Sequence, residues 1–211
     1  MIKMTPYELF KRLKTYYGSQ NWWPAESTYE VIVGAVLTQN TNWNNVERAI
    51  DNLKKENILS PCKILEKSPG KLKKLIKPTG FYNAKESTLR RVTDFINNNN
   101  INEMPTSTLR QKLLQIKGVG PETADSILLY AYNRPVFVID AYTKRLVKRL
   151  KITNRRKYDE LQLFFQSALP KDKEIYAEFH ALIVEHSKNI CKKVPQCKKC
   201  LMKDDCPESL S

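Results

Sequence analysis

The sequence contains no long apolar run, and its longest wholly apolar stretches span only a few residues. This excludes a membrane-spanning helix. The opening stretch MIKMTPYELFKRLKTYYG has no apolar signal core, so we expect neither secretion nor a targeting segment. With 211 residues the chain can bury a core, as one domain or two small ones, without help from disulfides.

Acidic residues are scarce. The sequence has 22 Asp and Glu against 36 Lys and Arg, which gives a formal net charge of +14. Such an excess favours a polyanionic partner, most simply nucleic acid, with an anionic membrane surface as the other option. The composition excludes a disordered tail protein and a secreted disulfide miniprotein, but it does not choose an activity.

Cysteine is also sparse except near the C-terminal end. Cys62 stands alone and is interpreted as an ordinary half-buried thiol. The other four follow the spacing C-x5-C-x2-C-x5-C and are Cys191, Cys197, Cys200 and Cys206. Four thiolates at short spacing suit a tetrahedral zinc ion or an iron–sulfur cluster, and the spacing alone leaves both open.

Helical periodicity covers almost the whole sequence. The segment from Thr5 to Glu8 has the pattern of a capping box, and apolar residues then recur at helical spacing. Similar patterns predict about ten helices joined by short loops. The only strand-like run, residues 135–139, is short enough to be a buried extended linker. We therefore predict an all-α protein.

Two of the predicted helices are joined by a glycine-containing turn, Lys117, Gly118, Val119 and Gly120, before a helix that starts at Pro121. The glycines permit positive φ and close backbone approach, and the amides of the next helix can meet a phosphate. A plain turn between two helices is the alternative. In a chain with this charge, we favour binding to the DNA backbone.

Asp140 ends the next apolar stretch and directly precedes a predicted helix. Aspartate is a favoured N-cap, so a purely structural role is the simplest interpretation. A carboxylate held in this way is also well placed for chemistry, and the two roles are compatible.

The segment LLQIKGVGPETADSILLYAYNRPVFVIDAYTKRL resembles the helix-hairpin-helix, Gly/Pro-rich loop and Asp signature of the endonuclease III (HhH-GPD) superfamily of DNA glycosylases. The resemblance covers nearly the whole chain. It implies a two-domain all-α fold. Residues 27–134 would form a six-helix barrel with the hairpin at about 108–130, and residues 1–26 with 135–211 would form a second helical domain.

The resemblance also implies roles for these residues. Asp140 would be catalytic and the partner would be double-stranded DNA containing damaged bases. Gln39, in GAVLTQNTNW, would face DNA, and Phe81, in GFYNAK, would insert as a wedge beside the hairpin residues 117–120. A monomer is expected, in the cytoplasm with the nucleoid or in a eukaryotic nucleus.

The four clustered cysteines are similar to the [4Fe-4S] loop of this superfamily, here residues 191–206, which favours the cluster over zinc. The usual spacing has one more residue between the first two cysteines. The same resemblance bears on lyase chemistry. Bifunctional members carry a nucleophilic lysine two residues after the second glycine of the hairpin, where this chain has Glu122, which cannot form a Schiff base.

The stretch with two adjacent tryptophans, together with GAVLTQNT and GFYNAK, resembles the MagIII-type 3-methyladenine glycosylases. By position, the pocket for the flipped base would be lined by Trp22, Trp23, Pro24 and Trp43. Indole faces attract the cationic ring of an alkylated purine. Members of that branch need not carry the cluster, so this chain combines both patterns.

The expected activity is therefore that of a monofunctional glycosylase acting on alkylated purines. A glycosylase for mismatched or deaminated bases is the alternative substrate class. A non-catalytic DNA-binding module is the alternative from a different class, in which Asp140 would only cap a helix. The two histidines, His180 and His186, are interpreted as packing or surface residues.

Overall fold

The computed structural model describes residues 4–20 and 22–209, and within them it is helical without strands, which confirms the predicted all-α class. No helix in this part of the chain is long and apolar enough to cross a membrane. The helices are α1 (Pro6–Tyr17), α2 (Thr28–Leu37), α3 (Trp43–Lys55), α4 (Pro61–Glu66), α5 (Pro69–Ile76), α6 (Tyr82–Asn97), α7 (Thr106–Gln115), α8 (Pro121–Ser126), α9 (Ala141–Leu150), α10 (Tyr158–Ser167) and α11 (Lys173–Asn189).

Local signals account for most helix starts. The capping box is present, since the amide of Glu8 donates to the Thr5 hydroxyl and the Glu8 carboxylate accepts from the Thr5 amide. The sequence analysis did not predict the short helix α4. It also did not predict the five-residue π-helical segment Ile127–Ala131 that continues α8.

The chain forms two compact units. One consists of the chain up to Trp22 together with the chain from Pro135 onward, and the other is Trp23–Arg134. The second unit is built around α2, in which every residue from Tyr29 to Leu37 is buried. A helix that is apolar on all sides belongs at the centre of its unit. Around it lie α3, α6 and the π-helical segment.

The first unit is organised by an extended segment, residues 135–139, that carries the chain into α9. Its backbone groups are paired by side chains of α10 rather than by another strand. Phe137 donates its amide to Gln166 (2.9 Å) and accepts from the Gln162 amide (2.7 Å) at its carbonyl. The Phe137 ring stacks on Phe165, with centroids 4.5 Å apart. This segment therefore delivers Asp140 to the start of α9 in a fixed position.

The two glycines of the turn between α7 and α8 differ in whether their position requires glycine. Gly118 has φ of 98°, and an added Cβ would collide with the side chain of Thr88. Gly120 has φ of −95° and open space where a Cβ would stand. Only Gly118 therefore requires glycine for steric reasons.

We predict that Gly118→Ala lowers the free energy of unfolding by about 2 kcal/mol or more, because it adds both backbone strain and a clash. Gly120→Ala is the matched control and should lower it by about 1 kcal/mol or less, since it changes only an N-cap. Urea unfolding of the two variants measures this difference. Equal destabilisation would contradict the assignment.

Candidate active site

Asp140 is the N-cap of α9 and is buried, with 8% of its surface exposed. Its Oδ1 accepts a hydrogen bond of 2.7 Å from the amide of Thr143. The sequence predicted this capping role, and the burial is what the structure adds. One carboxylate oxygen is thus used to hold the side chain in place.

The second carboxylate oxygen of Asp140 faces a histidine. His180, on α11, places Nε2 3.5 Å from Asp140 Oδ2, and its side chain is buried. The ring of Trp22 lies against the imidazole, with centroids 5.3 Å apart. His180 is therefore a direct neighbour of the candidate catalytic group rather than a remote packing residue.

These partners determine the charge of Asp140. Burial acts to raise the pKa of Asp140, but the neighbouring imidazole of His180 and the Thr143 amide outweigh it and hold that pKa below its ordinary value. The carboxylate is consequently ionised at neutral pH. A fixed, ionised and desolvated carboxylate can stabilise positive charge that develops beside it.

A second group of candidate residues forms an aromatic cluster in the Trp23–Arg134 unit. The ring of Trp23 lies 4.8 Å from that of Tyr130 and 5.3 Å, edge to face, from that of Trp43. Gly34 on α2 allows the indole to approach closely, because an added Cβ would stand 3.3 Å from it. Tyr130 belongs to the π-helical segment, so the change of helical register brings it to Trp23.

Trp43 and Pro24 also line a cavity of about 330 Å³. The indole N–H of Trp43 donates to the carboxylate of Glu47 at 2.8 Å. The remaining lining is Ala25, Glu26, Glu30, Ile50, Asp51 and Lys54, and Lys54 pairs with Glu26 (3.0 Å) and Glu30 (2.9 Å). Because the carboxylates outnumber this one lysine, the lining is net negative and suits a cationic group.

Of the four residues predicted for the base pocket, the structure brings Trp23, Pro24 and Trp43 into one unit, where Tyr130 joins them. Trp22 belongs to the other unit and contacts His180.

The residues predicted to face DNA lie on three neighbouring loops of the same unit. Gln39 Nε2 donates to the carbonyl of Gly118 (3.0 Å) and to the Thr123 hydroxyl (2.8 Å), which ties the end of α2 to the hairpin. Phe81 precedes α6 with φ of 46° and is 70% exposed. An exposed aromatic ring on a left-handed residue is what a wedge requires.

The hairpin itself is fixed from behind by α6. The carbonyl of Lys117 accepts from Arg91 (3.2 Å) and from the Thr88 hydroxyl (3.5 Å). Val119 is buried and anchors the turn, while the side chain of Lys117 is exposed. Glu122 is exposed in the first turn of α8.

The four clustered cysteines line a common cavity in the C-terminal segment, together with Arg149. Arg149 donates to the sulfur of Cys191 at 3.2 Å and to carbonyls of the loop, and the amide of Met202 donates to the sulfur of Cys200 at 3.4 Å. Burial raises the pKa of Cys200 and Cys206, and the neighbouring thiols raise it further.

Among residues 4–20 and 22–209, no group of three or more His, Cys, Asp or Glu side chains is arranged to hold a single metal ion. The donor set of four thiols with N–H···S contacts nevertheless fits the chemistry of an iron–sulfur cluster.

Sequence reasoning missed two residues of these groups. His180 lies far from Asp140 along the chain, and no local pattern marks its contact with that carboxylate. Tyr130 sits in an apolar run whose periodicity predicts an ordinary helix, and the π-helical register hides its direction. In both cases the signal lies in the packing of helices.

Comparison with known proteins identifies the family of this chain. The model of the family described as HhH-GPD superfamily base excision DNA repair protein matches residues 33–171. A Methanocaldococcus jannaschii protein named as a DNA repair glycosylase is 56% identical over 208 residues, which cover 95% of this chain and 94% of that protein.

Solved structures show the same fold. The crystal structure of H. pylori 3-methyladenine DNA glycosylase (MagIII) bound to 1,N6-ethenoadenine is 32% identical, with a TM-score of 0.77, and the match covers 88% of this chain and 98% of that one. A non-covalent endonuclease III–DNA complex is 21% identical, with a TM-score of 0.83 over 98% of this chain and 97% of that one. The chain therefore belongs to the HhH-GPD superfamily of base excision DNA repair proteins.

Proposed function

We propose that this protein is a monofunctional DNA glycosylase that hydrolyses the N-glycosidic bond of an alkylated purine flipped out of double-stranded DNA. The observation that carries the proposal is the buried, ionised Asp140, held by Thr143 and His180 at the aspartate of the superfamily signature. A non-catalytic DNA-binding protein would need only a helix cap at this position.

The chemistry follows from the charge of Asp140. As the glycosidic bond lengthens, positive charge develops on the sugar, and a fixed carboxylate nearby lowers the free energy of that state. The same carboxylate can orient or deprotonate the attacking water. An alkylated purine leaves as a neutral base, so it needs little help from a general acid. This accounts for a mechanism that relies on one carboxylate.

The substrate class rests on the aromatic cluster and its surroundings. Trp43 is half-buried, and its indole N–H is bound to a carboxylate, which increases the electron density of the ring. A cation over such a ring gains about 0.5–2 kcal/mol, and the acidic cavity beside it adds attraction. A positively charged methylpurine is favoured over its neutral parent base by both effects. The likeness to MagIII supports the same substrate class.

We propose that the protein has no lyase activity because Glu122 occupies the position of the lysine nucleophile in bifunctional members. Its carboxylate cannot form a Schiff base with the abasic sugar. Lys117 stands on the other side of the hairpin turn.

A [4Fe-4S] cluster is proposed at Cys191, Cys197, Cys200 and Cys206, with zinc as the less favoured alternative. When bound, such a cluster ties its loop to the helices that carry its ligands and contributes folding free energy. The chain supplies the thiols, and Arg149 and the Met202 amide donate to two of the sulfurs.

The function is tested with a panel of duplexes that carry single methylated, deaminated or mismatched bases. We expect release of free methylpurine, strand cleavage only after alkali, and no adduct trapped by borohydride. Release of uracil or thymine in place of methylpurine would select the alternative substrate class. Trapping of a covalent adduct, or no release from any duplex, would contradict the proposal.

Substrate choice provides a second prediction. Trp43→Ala should lower release of a cationic methylpurine by about tenfold more than release of neutral ethenoadenine, because the ring-to-cation attraction is lost. Trp43→Phe is the matched variant and should fall between Trp43→Ala and the wild type. Single-turnover rates on the two lesions measure the ratio, and a ratio unchanged in Trp43→Ala would exclude this role.

Asp140→Asn should lower base release by about a hundredfold or more while DNA affinity and thermal stability stay near those of the wild type. Stability is retained because asparagine caps a helix as well as aspartate does. Asp172 is the more exposed N-cap of α11 and accepts from the Ile175 amide at 2.9 Å, so Asp172→Asn is a control for the exchange of the capping group alone. An equal loss of activity in both variants would assign Asp140 to capping alone.

The contact between His180 and Asp140 can be tested through the pH dependence of base release. Because His180 helps to lower the pKa of Asp140, His180→Gln should raise that pKa and move the acidic limb of base release to higher pH. At pH values well above this limb the carboxylate is ionised in both proteins, so the loss of activity should be greatest in acid. An unchanged limb would separate His180 from the carboxylate.

The purified protein should be brown, with absorbance at about 400 nm and about four irons per chain. Exchange of Cys200 for Ser should remove the colour and the iron. Replacement of the exposed Cys62 by Ser is the control and should leave both unchanged. Colourless protein with stoichiometric zinc would select the alternative metal.

A further inference from the structure

Lys85, near the start of α6, is a buried cation that the proposed chemistry does not use. Only 2% of its surface is exposed. Its Nζ donates to the carbonyl of Thr79 at 2.7 Å and to the carbonyl of Leu37 at 2.9 Å. Burial lowers the pKa of Lys85 to about 8, and no carboxylate among the described residues offsets that effect. The ammonium is therefore held by two backbone carbonyls.

This placement is unfavourable for α6 itself. The N-terminal turns of a helix disfavour positive charge, and burial of an unpaired charge carries a large desolvation penalty. A methionine of similar volume would avoid both. The position of Lys85 is thus not explained by the stability of α6 or by packing alone.

The two carbonyls explain the position. Leu37 is the last residue of α2, and its carbonyl is one of those that a helix end leaves without an intrahelical partner. The last turn of α2 contains no basic residue, so Lys85 supplies the cation that a helix C-terminus favours. Thr79 ends the short 3-10 helix before α6. One ammonium therefore joins the ends of two separate elements.

Each of these carbonyls lies just upstream of a candidate DNA contact. Gln39 follows Leu37 by two residues, and Phe81 follows Thr79 by two residues. Gln39 also donates to the carbonyl of Gly118, so the same connection reaches the hairpin. The loop that carries Phe81 and the loop that carries Gln39 are therefore anchored through the side chain of Lys85.

We propose that Lys85 is a positioning residue that sets the spacing of Gln39 and Phe81, so that both enter the duplex when the damaged nucleotide is flipped out. The inference rests on the proposed function, and Lys85 acts through the backbone without touching a reacting atom. Flipping leaves a gap in the base stack, and the side chains that fill it must arrive together. A shared anchor provides that coordination.

The experiment compares duplex with single-stranded DNA bearing the same methylpurine. Lys85→Met should lower the single-turnover rate of base release from duplex by about tenfold or more, because the cost of unstacking is no longer offset. Release from the single strand, which needs no flipping, should stay within about twofold. Lys55 is exposed at the end of α3, so Lys55→Met removes the same charge and should leave both rates unchanged.

A second readout does not depend on base release. A 2-aminopurine beside the lesion brightens when its stacking is lost, and wild-type protein should produce this signal on binding whereas Lys85→Met should not. Wild-type protein that brightens the probe but releases no base from either DNA would contradict the proposed function and leave the inference standing. Equal duplex rates and equal brightening in wild type and Lys85→Met would overturn the inference.

The last measurement tests whether Lys85 acts through Gln39 and Phe81. In a protein that already carries Phe81→Ala and Gln39→Ala, adding Lys85→Met should lower the duplex rate by less than about twofold, because there is nothing left to position. Lys85→Gln keeps a buried donor on a shorter side chain and should show the same duplex-selective loss. A full additional loss in the triple variant, or unfolding of both single variants, would assign Lys85 to core stability.

Discussion

The structure depends on keeping a negative charge ionised where water is largely excluded. Burying a lone carboxylate is unfavourable by several kcal/mol, and a protein usually neutralises it by protonation. Here the Thr143 amide at the start of α9 and the ring of His180 on α11 reverse that tendency for Asp140. The extended segment before Asp140 is fixed by the side-chain amides of α10. Three helices and one linker therefore converge to hold one carboxylate in its charged form.

The loops that carry the proposed DNA contacts are held differently, since side chains from neighbouring elements donate to their carbonyl groups. Lys85 binds the carbonyls of Leu37 and Thr79, Gln39 binds that of Gly118, and Arg91 binds that of Lys117. Such bonds fix the path of the backbone and leave Phe81 free to project. They also explain why Lys85 is buried where no carboxylate among the described residues meets it.

Aromatic residues carry the recognition of the base in our proposal, and their directions depend on small changes of backbone geometry. The π-helical segment turns Tyr130 toward Trp23, and Gly34 lets the indole lie against α2. The indole N–H of Trp43 donates a hydrogen bond to the carboxylate of Glu47. In the other unit, Arg149 spans the cysteine loop in a similar way, with bonds to one sulfur and several carbonyls. Trp43 and the cysteine loop are thus each fixed by polar contacts from a neighbouring side chain.

The sequence by itself determined the all-α class, most helix starts, the glycine turn and the capping position of Asp140, because these depend on local propensity and on residues a few positions apart. The thiol spacing and the family signature were likewise local. Only the tertiary structure showed His180 beside Asp140, Tyr130 beside Trp23, and Lys85 on two distant carbonyls. These contacts join residues on different helices or loops. Their formation is decided by how helices pack, and no period or motif in the chain encodes it directly.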